Sequence, residues 1–261
     1  MGDMTISHPI SAAVFLMAKQ LTEKQFLKNY NVHDFDVPLV TVDMAIFTVK
    51  EGKLQVLVVK RAQHPAKGKW ALPGGFVDMT LDKTLNDTAY RKLKEKTGVE
   101  TSYLEQVESF GGAGRDPRGW SVTVAYLALI SSDDIVLSKD ESSEDVTWVA
   151  IEDEGEKVEL AFDHDAVLKA CHGRLKGKVQ YTSLPVNLLP ADFTLTELQK
   201  TFEIILDKSV EKKSFRRRIL DADILEETGE MKTGSNRPAK LYRVKPEGES
   251  YFFARSLEGP R

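Results

Sequence analysis

The chain has 261 residues, a formal net charge of −4 and a single cysteine, Cys171. This length accommodates two modest domains, and the charge excludes a uniformly basic nucleic-acid-binding protein. One cysteine excludes an intramolecular disulfide and cannot by itself build a thiolate metal site, which suits a reducing cytoplasm. The apolar stretch at residues 10–18 is too short to span a membrane and lacks the basic flank of a signal peptide.

Residues 1–36 are predicted to form a helical extension. Short helices are expected at residues 12–19 and 22–30, the second with Thr22 as its cap. This extension either covers a core or reaches a partner subunit.

Residues 37–176 are rich in predicted strands, which are rich in β-branched residues and punctuated by turns. An amphipathic helix at 162–175 closes this region, and residues 177–190, with Gly177, Pro185 and Pro190, are predicted to be a linker. The strands are expected at residues 39–49, 54–60, 107–110, 122–130 and 145–150.

Residues 191–246 form a second predicted domain. Thr194 and Glu197 have the spacing of a capping box, so a helix is expected at 195–206. A second helix is expected at 211–222, with Phe215, Ile219 and Leu220 on its apolar face, and a basic hairpin follows. Helix, turn, basic helix and hairpin are typical of a winged helix-turn-helix domain. Residues 247–261 are treated as a tail.

The second helix of this domain carries five positive charges between positions 212 and 218. A run of this kind is usually a solvated face, but the hairpin behind it favours double-stranded DNA as a partner. Arginine can read guanine and neutralise phosphate, and helix N-termini can contact phosphate. The candidate DNA contacts are Thr194, Thr196, Lys212, Lys213, Ser214, Arg216, Arg217, Arg218, Arg237 and Lys240.

Residues 74–99 begin with two glycines and end in R-K-L-K-E-K-T-G-V. With WALPGGFV in front, this stretch resembles the Nudix signature, whose helix glutamates hold divalent metal beside a diphosphate. Lys92 and Lys96 stand where two of those glutamates belong, and the glutamate ahead of the helix falls on Leu81 or Lys83. Two ammonium groups on one helix face repel a metal ion. We therefore expect neither catalytic residues nor a metal site.

The C-terminal domain carries F-T-L-T-E-L-Q, S-F-R-R-R-I-L and R-P-A-K-L-Y-R. With the Nudix stretch, these segments resemble the Nudix-related transcriptional regulators of NAD metabolism, the NrtR family. The resemblance implies a Nudix α/β/α sandwich followed by a winged helix-turn-helix domain. It also implies a homodimeric repressor in the cytoplasm, which lies on the nucleoid when it is bound to palindromic operators. The resemblance further implies that ADP-ribose releases the repressor from DNA and that no cofactor is required.

The resemblance places the effector between the glycine loop, the signature helix and the loop that holds Arg115 and Arg118. Guanidinium groups match phosphate oxygens, and glycine allows the backbone to approach a phosphate closely. Trp70 or Phe110 would stack on adenine, and the alternative for Trp70 is a place in the core. The candidate effector contacts are Arg61, Trp70, Gly74, Gly75, Lys92, Glu95, Lys96, Phe110, Arg115 and Arg118.

Two other functions compete with this interpretation. The first is a Nudix hydrolase that cleaves ADP-ribose or a related nucleoside diphosphate derivative. In such an enzyme a metal site would have to be rebuilt from Glu95, Glu100 and Asp78. An RNA-binding or protein-interaction adaptor is the second competitor, but the C-terminal domain lacks a cluster of aromatic residues for stacking unpaired bases.

Overall fold

The computed structural model describes residues 21–98, 103–134, 137, 142–151, 158–233 and 238–257. The chain divides into two compact units, Met1–Pro38 and Leu39–Arg261. In the first unit, helix α1 (Glu23–Asn29) begins at a capping box between Thr22 and Gln25, and a 3-10 turn covers Val32–Asp34. The helix predicted at residues 12–19 lies outside the described residues.

The second unit is built on a mixed β-sheet. The strand order is β3-β2-β1-β6-β5, with β4 paired to β1 and β7 paired to β2. β1 and β6 are parallel, and the other strand pairs of this sheet are antiparallel. The strands are β1 (Leu39–Lys50), β2 (Lys53–Arg61), β3 (Trp70–Ala71), β4 (Gly74–Phe76), β5 (Tyr103–Gly112), β6 (Ser121–Leu129) and β7 (Ser143–Ala150).

Helices cover both faces of this sheet, and alternate residues of β1 point to each of them. Helix α2 (Leu85–Thr97) packs on the side of Met44 and Ile46, and helix α3 (His164–Val179) packs on the side of Ala45 and Phe47. Because both faces are covered, the middle of β1, residues 44–47, is continuously apolar rather than alternating. The predicted α/β/α sandwich is confirmed.

The predicted linker at residues 177–190 differs from the structure. Helix α3 continues to Val179, because Gly177 has open space around it and a helix tolerates glycine there. A 3-10 helix follows at Leu184–Leu188, with Pro185 in its first turn, where a missing backbone N–H is harmless. Leu184 and Leu188 are buried in a core cluster shared by the sheet and the C-terminal helices. The core is therefore continuous across the proposed linker.

The predicted winged helix-turn-helix domain is confirmed. Its elements are α4 (Leu195–Leu206), α5 (Lys212–Asp221) and the hairpin of β8 (Leu225–Lys232) with β9 (Ala239–Val244). The rings of Phe202 and Phe215 meet edge to face at 5.1 Å between centroids. Leu220 is 48% exposed, so its predicted place in the core is wrong: Phe215 and Ile219 already fill the buried face of α5.

The segment predicted as a tail packs onto the fold as far as it is described. Tyr251 O accepts from Ser183 N at 3.0 Å, and Phe253 N donates to Tyr181 O at 2.8 Å. These backbone hydrogen bonds fasten the C-terminal segment to the chain just after α3. Among the described residues, no helix is long and apolar enough to cross a membrane.

Candidate effector cleft and DNA-reading helix

A cleft of about 660 Å³ lies between β4, helix α2, the loop after β5 and the start of α3. Its lining carries more positive than negative side chains, which favours an anionic ligand. Most of the predicted effector contacts are here, namely Arg61, Gly74, Gly75, Lys92, Lys96, Arg115 and Arg118. The cleft is also lined by residues that the sequence does not predict as contacts, among them Asp43, Phe76, Asp116, Phe162 and His164.

The two glycines at the cleft make room for protein atoms. A Cβ on Gly74 would collide with the Asp43 carboxylate and the Val42 carbonyl oxygen, so β4 pairs with β1 only if this residue is glycine. A Cβ on Gly75 would lie 3.0 Å from Lys92 Cε. Gly75 therefore lets the Lys92 side chain lie across the loop.

Both lysines of the altered signature face the cleft. Lys92 Nζ donates to Glu95 Oε2 at 2.8 Å. Lys96 is 3% exposed and its Nζ donates to the hydroxyls of Ser143, at 2.8 Å, and Ser142, at 3.3 Å. Two ammonium groups are thus held at the wall of the cleft. Glu95 is not among the lining residues, because its carboxylate is turned to its helix neighbours.

The acidic residue ahead of the signature helix is Asp82, which lies between the two counted positions Leu81 and Lys83. Its carboxylate accepts from Arg91 Nε at 2.8 Å and Nη2 at 2.5 Å, and from the Thr88 hydroxyl at 2.8 Å. The hydrogen bonds from Arg91 hold the pKa of Asp82 well below its usual range. Asp82 therefore fixes Arg91. No group of three or more metal-ligating side chains occurs in the described part of the chain.

Arg115 is held at the start of α3. Its guanidinium donates to Asp163 through Nε at 2.9 Å and Nη2 at 2.8 Å, and Nη2 also reaches Asp43 at 3.3 Å. Burial opposes the charged form, but the bonds to Asp163 and the charge of Asp43 raise the pKa of Arg115. His164 Nδ1 accepts from Leu72 N at 2.9 Å, and burial lowers the His164 pKa, so this imidazole is neutral.

Two arginines lie over phenylalanine rings in the cleft. The Arg61 guanidinium is 4.9 Å from the centroid of Phe162, and that of Arg118 is 4.8 Å from the centroid of Phe76. Burial lowers the pKa of Arg61, and the charge of Arg118 adds to this effect. Arg118 is also paired with Asp116 at 2.7 Å. Phe76 directly follows Gly75 and Phe162 is the first residue of the helix predicted at 162–175, so each ring lies next to a predicted feature of the cleft.

The aromatic residues predicted to stack on adenine lie elsewhere. Trp70 and Phe110 pack against the core cluster on the α3 side of the sheet, and Trp70 forms a β-bridge with Leu160. Neither lines the cleft. Neither ring is therefore at the cleft: Trp70 packs in the core, the alternative kept open for it, and Phe110 packs there too.

Helix α5 presents a basic surface at its N-terminal half. Lys212, Lys213, Ser214 and Arg217 are exposed. Arg216 is half-buried and its Nη2 donates to the Thr196 hydroxyl at 3.3 Å, which brings these two predicted contacts together.

Several other predicted DNA contacts are engaged within the protein. Thr194 is buried and its hydroxyl exchanges hydrogen bonds with Glu197 in the capping box, so this hydroxyl is already engaged. Arg218 turns away from the exposed face of α5 and donates to the Gln180 carbonyl oxygen at 3.3 Å. Lys240 pairs with Glu227 at 2.8 Å on the hairpin. Arg237 lies outside the described residues.

Comparison with known proteins decides the family. A model of the NUDIX domain matches residues 38–171, and a model of the NrtR DNA-binding winged helix domain matches residues 185–244. The chain is 49% identical over 240 residues to the ADPR responsive transcriptional repressor NtrR of Acinetobacter baylyi, covering 92% of this chain and 95% of that protein. The chain belongs to the NrtR family.

Solved structures of an NrtR protein agree with this assignment. The crystal structure of Shewanella oneidensis NrtR complexed with a 27mer DNA is 44% identical, with a TM-score of 0.77, over 84% of this chain and 99% of that one. The NUDIX domain of the same protein, complexed with ADP ribose, is 42% identical, with a TM-score of 0.54, over 59% of this chain and 99% of that one. Both NrtR domains are therefore matched.

Proposed function

We propose that this protein is an ADP-ribose-responsive transcriptional repressor of NAD metabolism genes. It binds palindromic operator DNA as a homodimer in the cytoplasm and releases it when ADP-ribose enters the cleft. The observation that carries this proposal is the joint presence, in one chain, of a cationic Nudix cleft and an exposed basic helix in a winged domain.

DNA binding rests on the exposed side chains of α5. Lys212, Lys213 and Arg217 supply positive charge for phosphates, and a helix of this size fits the major groove. A homodimer presents two copies of α5, which a palindromic site matches when its half-sites are about one helical turn apart.

Effector binding rests on the cleft. Lys92, Lys96 and Arg61 line it and can neutralise a diphosphate without metal. The half-exposed ring of Phe76 and the ring of Phe162, each with a guanidinium above it, offer flat surfaces for an adenine base. In support of a metal-free site, Glu95 is paired with Lys92 and Arg91, and Asp82 is paired with Arg91.

A mobility shift on a palindromic site upstream of an NAD-metabolism operon tests the proposal. We expect a specific shift at stated salt with EDTA present, relieved by ADP-ribose. A specific shift that ADP-ribose leaves unchanged contradicts the effector assignment. Release of AMP from ADP-ribose with magnesium would instead support the competing hydrolase function.

A further inference from the structure

Helix α3 begins in the effector cleft. Asp163, at its N-cap position, makes no capping hydrogen bond and turns its carboxylate to Arg115 instead. The ring of His164 also lines the cleft and is held by the backbone of Leu72. The first turn of α3 is therefore part of the wall that a ligand of the cleft touches.

The same helix reaches the C-terminal domain as one rigid element. Its 16 residues span about 24 Å. Val167, Cys171, Leu175 and Val179 repeat every four residues and are all 0% exposed. Close packing along its whole length lets α3 carry a shift of its first turn to its far end.

The far end of α3 contacts α5, the proposed DNA-reading helix, through Arg218. The Arg218 guanidinium donates to the carbonyl oxygen of Gln180, the residue that ends α3, and lies 4.0 Å from the centroid of the Phe253 ring. Leu257 N donates to the same carbonyl oxygen at 2.8 Å. Arg218 is thus enclosed between α3 and the C-terminal segment.

The hydrogen bonding at this contact is incomplete. Arg218 Nε and Gln180 Oε1 are both buried and, within the described residues, have no hydrogen-bonding partner. Burial also lowers the pKa of Arg218. Buried polar groups that lack partners make an arrangement costly, so a small shift that pairs them is favourable. The contact between Arg218 and the end of α3 is therefore one at which α5 can change between two positions relative to α3.

We propose that Arg218 is a positioning residue, which transmits occupancy of the effector cleft through α3 to the DNA-reading helix. This inference rests on the proposed function. A ligand that binds Arg115 alters the ion pair between Arg115 and Asp163, and α3 shifts. Because Arg218 and Phe253 connect the far end of α3 to α5, this shift changes the position of α5. Small shifts suffice, because packed interfaces change between discrete arrangements.

The test compares Arg218→Ala and Phe253→Leu with wild type and with Arg217→Ala as the matched control. Arg217 is the exposed neighbour of Arg218 on the same helix. Fluorescence anisotropy gives the operator Kd with and without saturating ADP-ribose over a range of salt. Calorimetry gives the ADP-ribose Kd of the free protein, and thermal melting shows that each variant is folded.

For wild type we expect ADP-ribose to weaken operator binding by a factor within the usual range of about 5 to 150. In Arg218→Ala and Phe253→Leu this factor falls at least threefold, while the ADP-ribose Kd and the salt slope stay at their wild-type values. In Arg217→Ala the factor is retained and the salt slope drops by about one, because a phosphate contact is lost.

Two results would overturn the inference. The first is that ADP-ribose weakens operator binding by the wild-type factor in both Arg218→Ala and Phe253→Leu. The second is a salt slope that drops by about one in Arg218→Ala, which would make Arg218 a phosphate contact. Wild-type protein whose operator binding ignores ADP-ribose would refute the proposed function itself, and this is seen before any variant is measured.

Discussion

Replacing Lys92 and Lys96 by glutamine should weaken ADP-ribose binding in the presence of EDTA. A hydrogen bond to a charged group contributes about 1.5 to 3 kcal/mol. Glu95 already lies 2.8 Å from Lys92 Nζ and offsets part of its charge, so we expect the lower figure and about a tenfold loss for Lys92→Gln. Lys96 is 3% exposed and less screened by solvent, so Lys96→Gln should lose about 100-fold.

Titration calorimetry in EDTA measures both losses. Lys94→Gln is the matched control, since Lys94 is an exposed lysine of the same helix that does not line the cleft. Lys92→Glu combined with Lys96→Glu should weaken binding further, because two carboxylates repel the diphosphate. Folded variants with wild-type affinity would refute the assignment of the lysines as diphosphate ligands.

Three further predictions concern the DNA-reading helix, the signature helix and the cysteine. Arg217→Ala should weaken operator and random DNA about equally in anisotropy titrations, and a loss confined to one sequence would instead make it a base contact. The pKa of Asp82 is held below its unfolded value of about 3.9, so its pair with Arg91 stabilises the fold above that pH and loses this effect on acidification. The melting-temperature deficit of Asp82→Asn should therefore shrink below about pH 4, and a constant deficit would contradict this. Burial raises the pKa of Cys171 to about 12, so a thiol-reactive dye at pH 8 should label it only after denaturant is added, and labelling of folded protein would show that it is accessible.

Sequence periodicity was sufficient for the main elements of the fold. The capping box at Thr194 predicts the start of α4, and the apolar face predicted for the second helix of the winged domain includes the buried Phe215 and Ile219. It fails between residues 177 and 190, where glycine and proline predict a linker but the structure has helix. Both residue types are compatible with ordered structure when a helix passes through open space or begins at the proline, and only the tertiary packing shows this.

The sequence predicts several of the residues that line the candidate cleft, but not all of them and not their side-chain partners. Lys92 and Lys96 line the cleft because the signature fixes which positions of the helix face it, and Arg61, which precedes the signature, lines it too; their effector role stays a prediction. Trp70 was misplaced, because aromatic residues near a site pack into the core as readily as they line it, and spacing does not distinguish the two. Asp82 is not predicted, because the expected position of the glutamate ahead of the helix falls on its neighbours Leu81 and Lys83.

The choice of side-chain partners separates residues that look equivalent in sequence. Arg217 and Arg218 are neighbours in a basic run, yet one is exposed and the other lies over the Phe253 ring at 4.0 Å. A helix turns about 100° per residue, so adjacent side chains point in different directions, here one to solvent and one to the Phe253 ring. The basic run therefore has two parts: its exposed side chains are the ones proposed to bind DNA, and Arg218 anchors the helix to the end of α3.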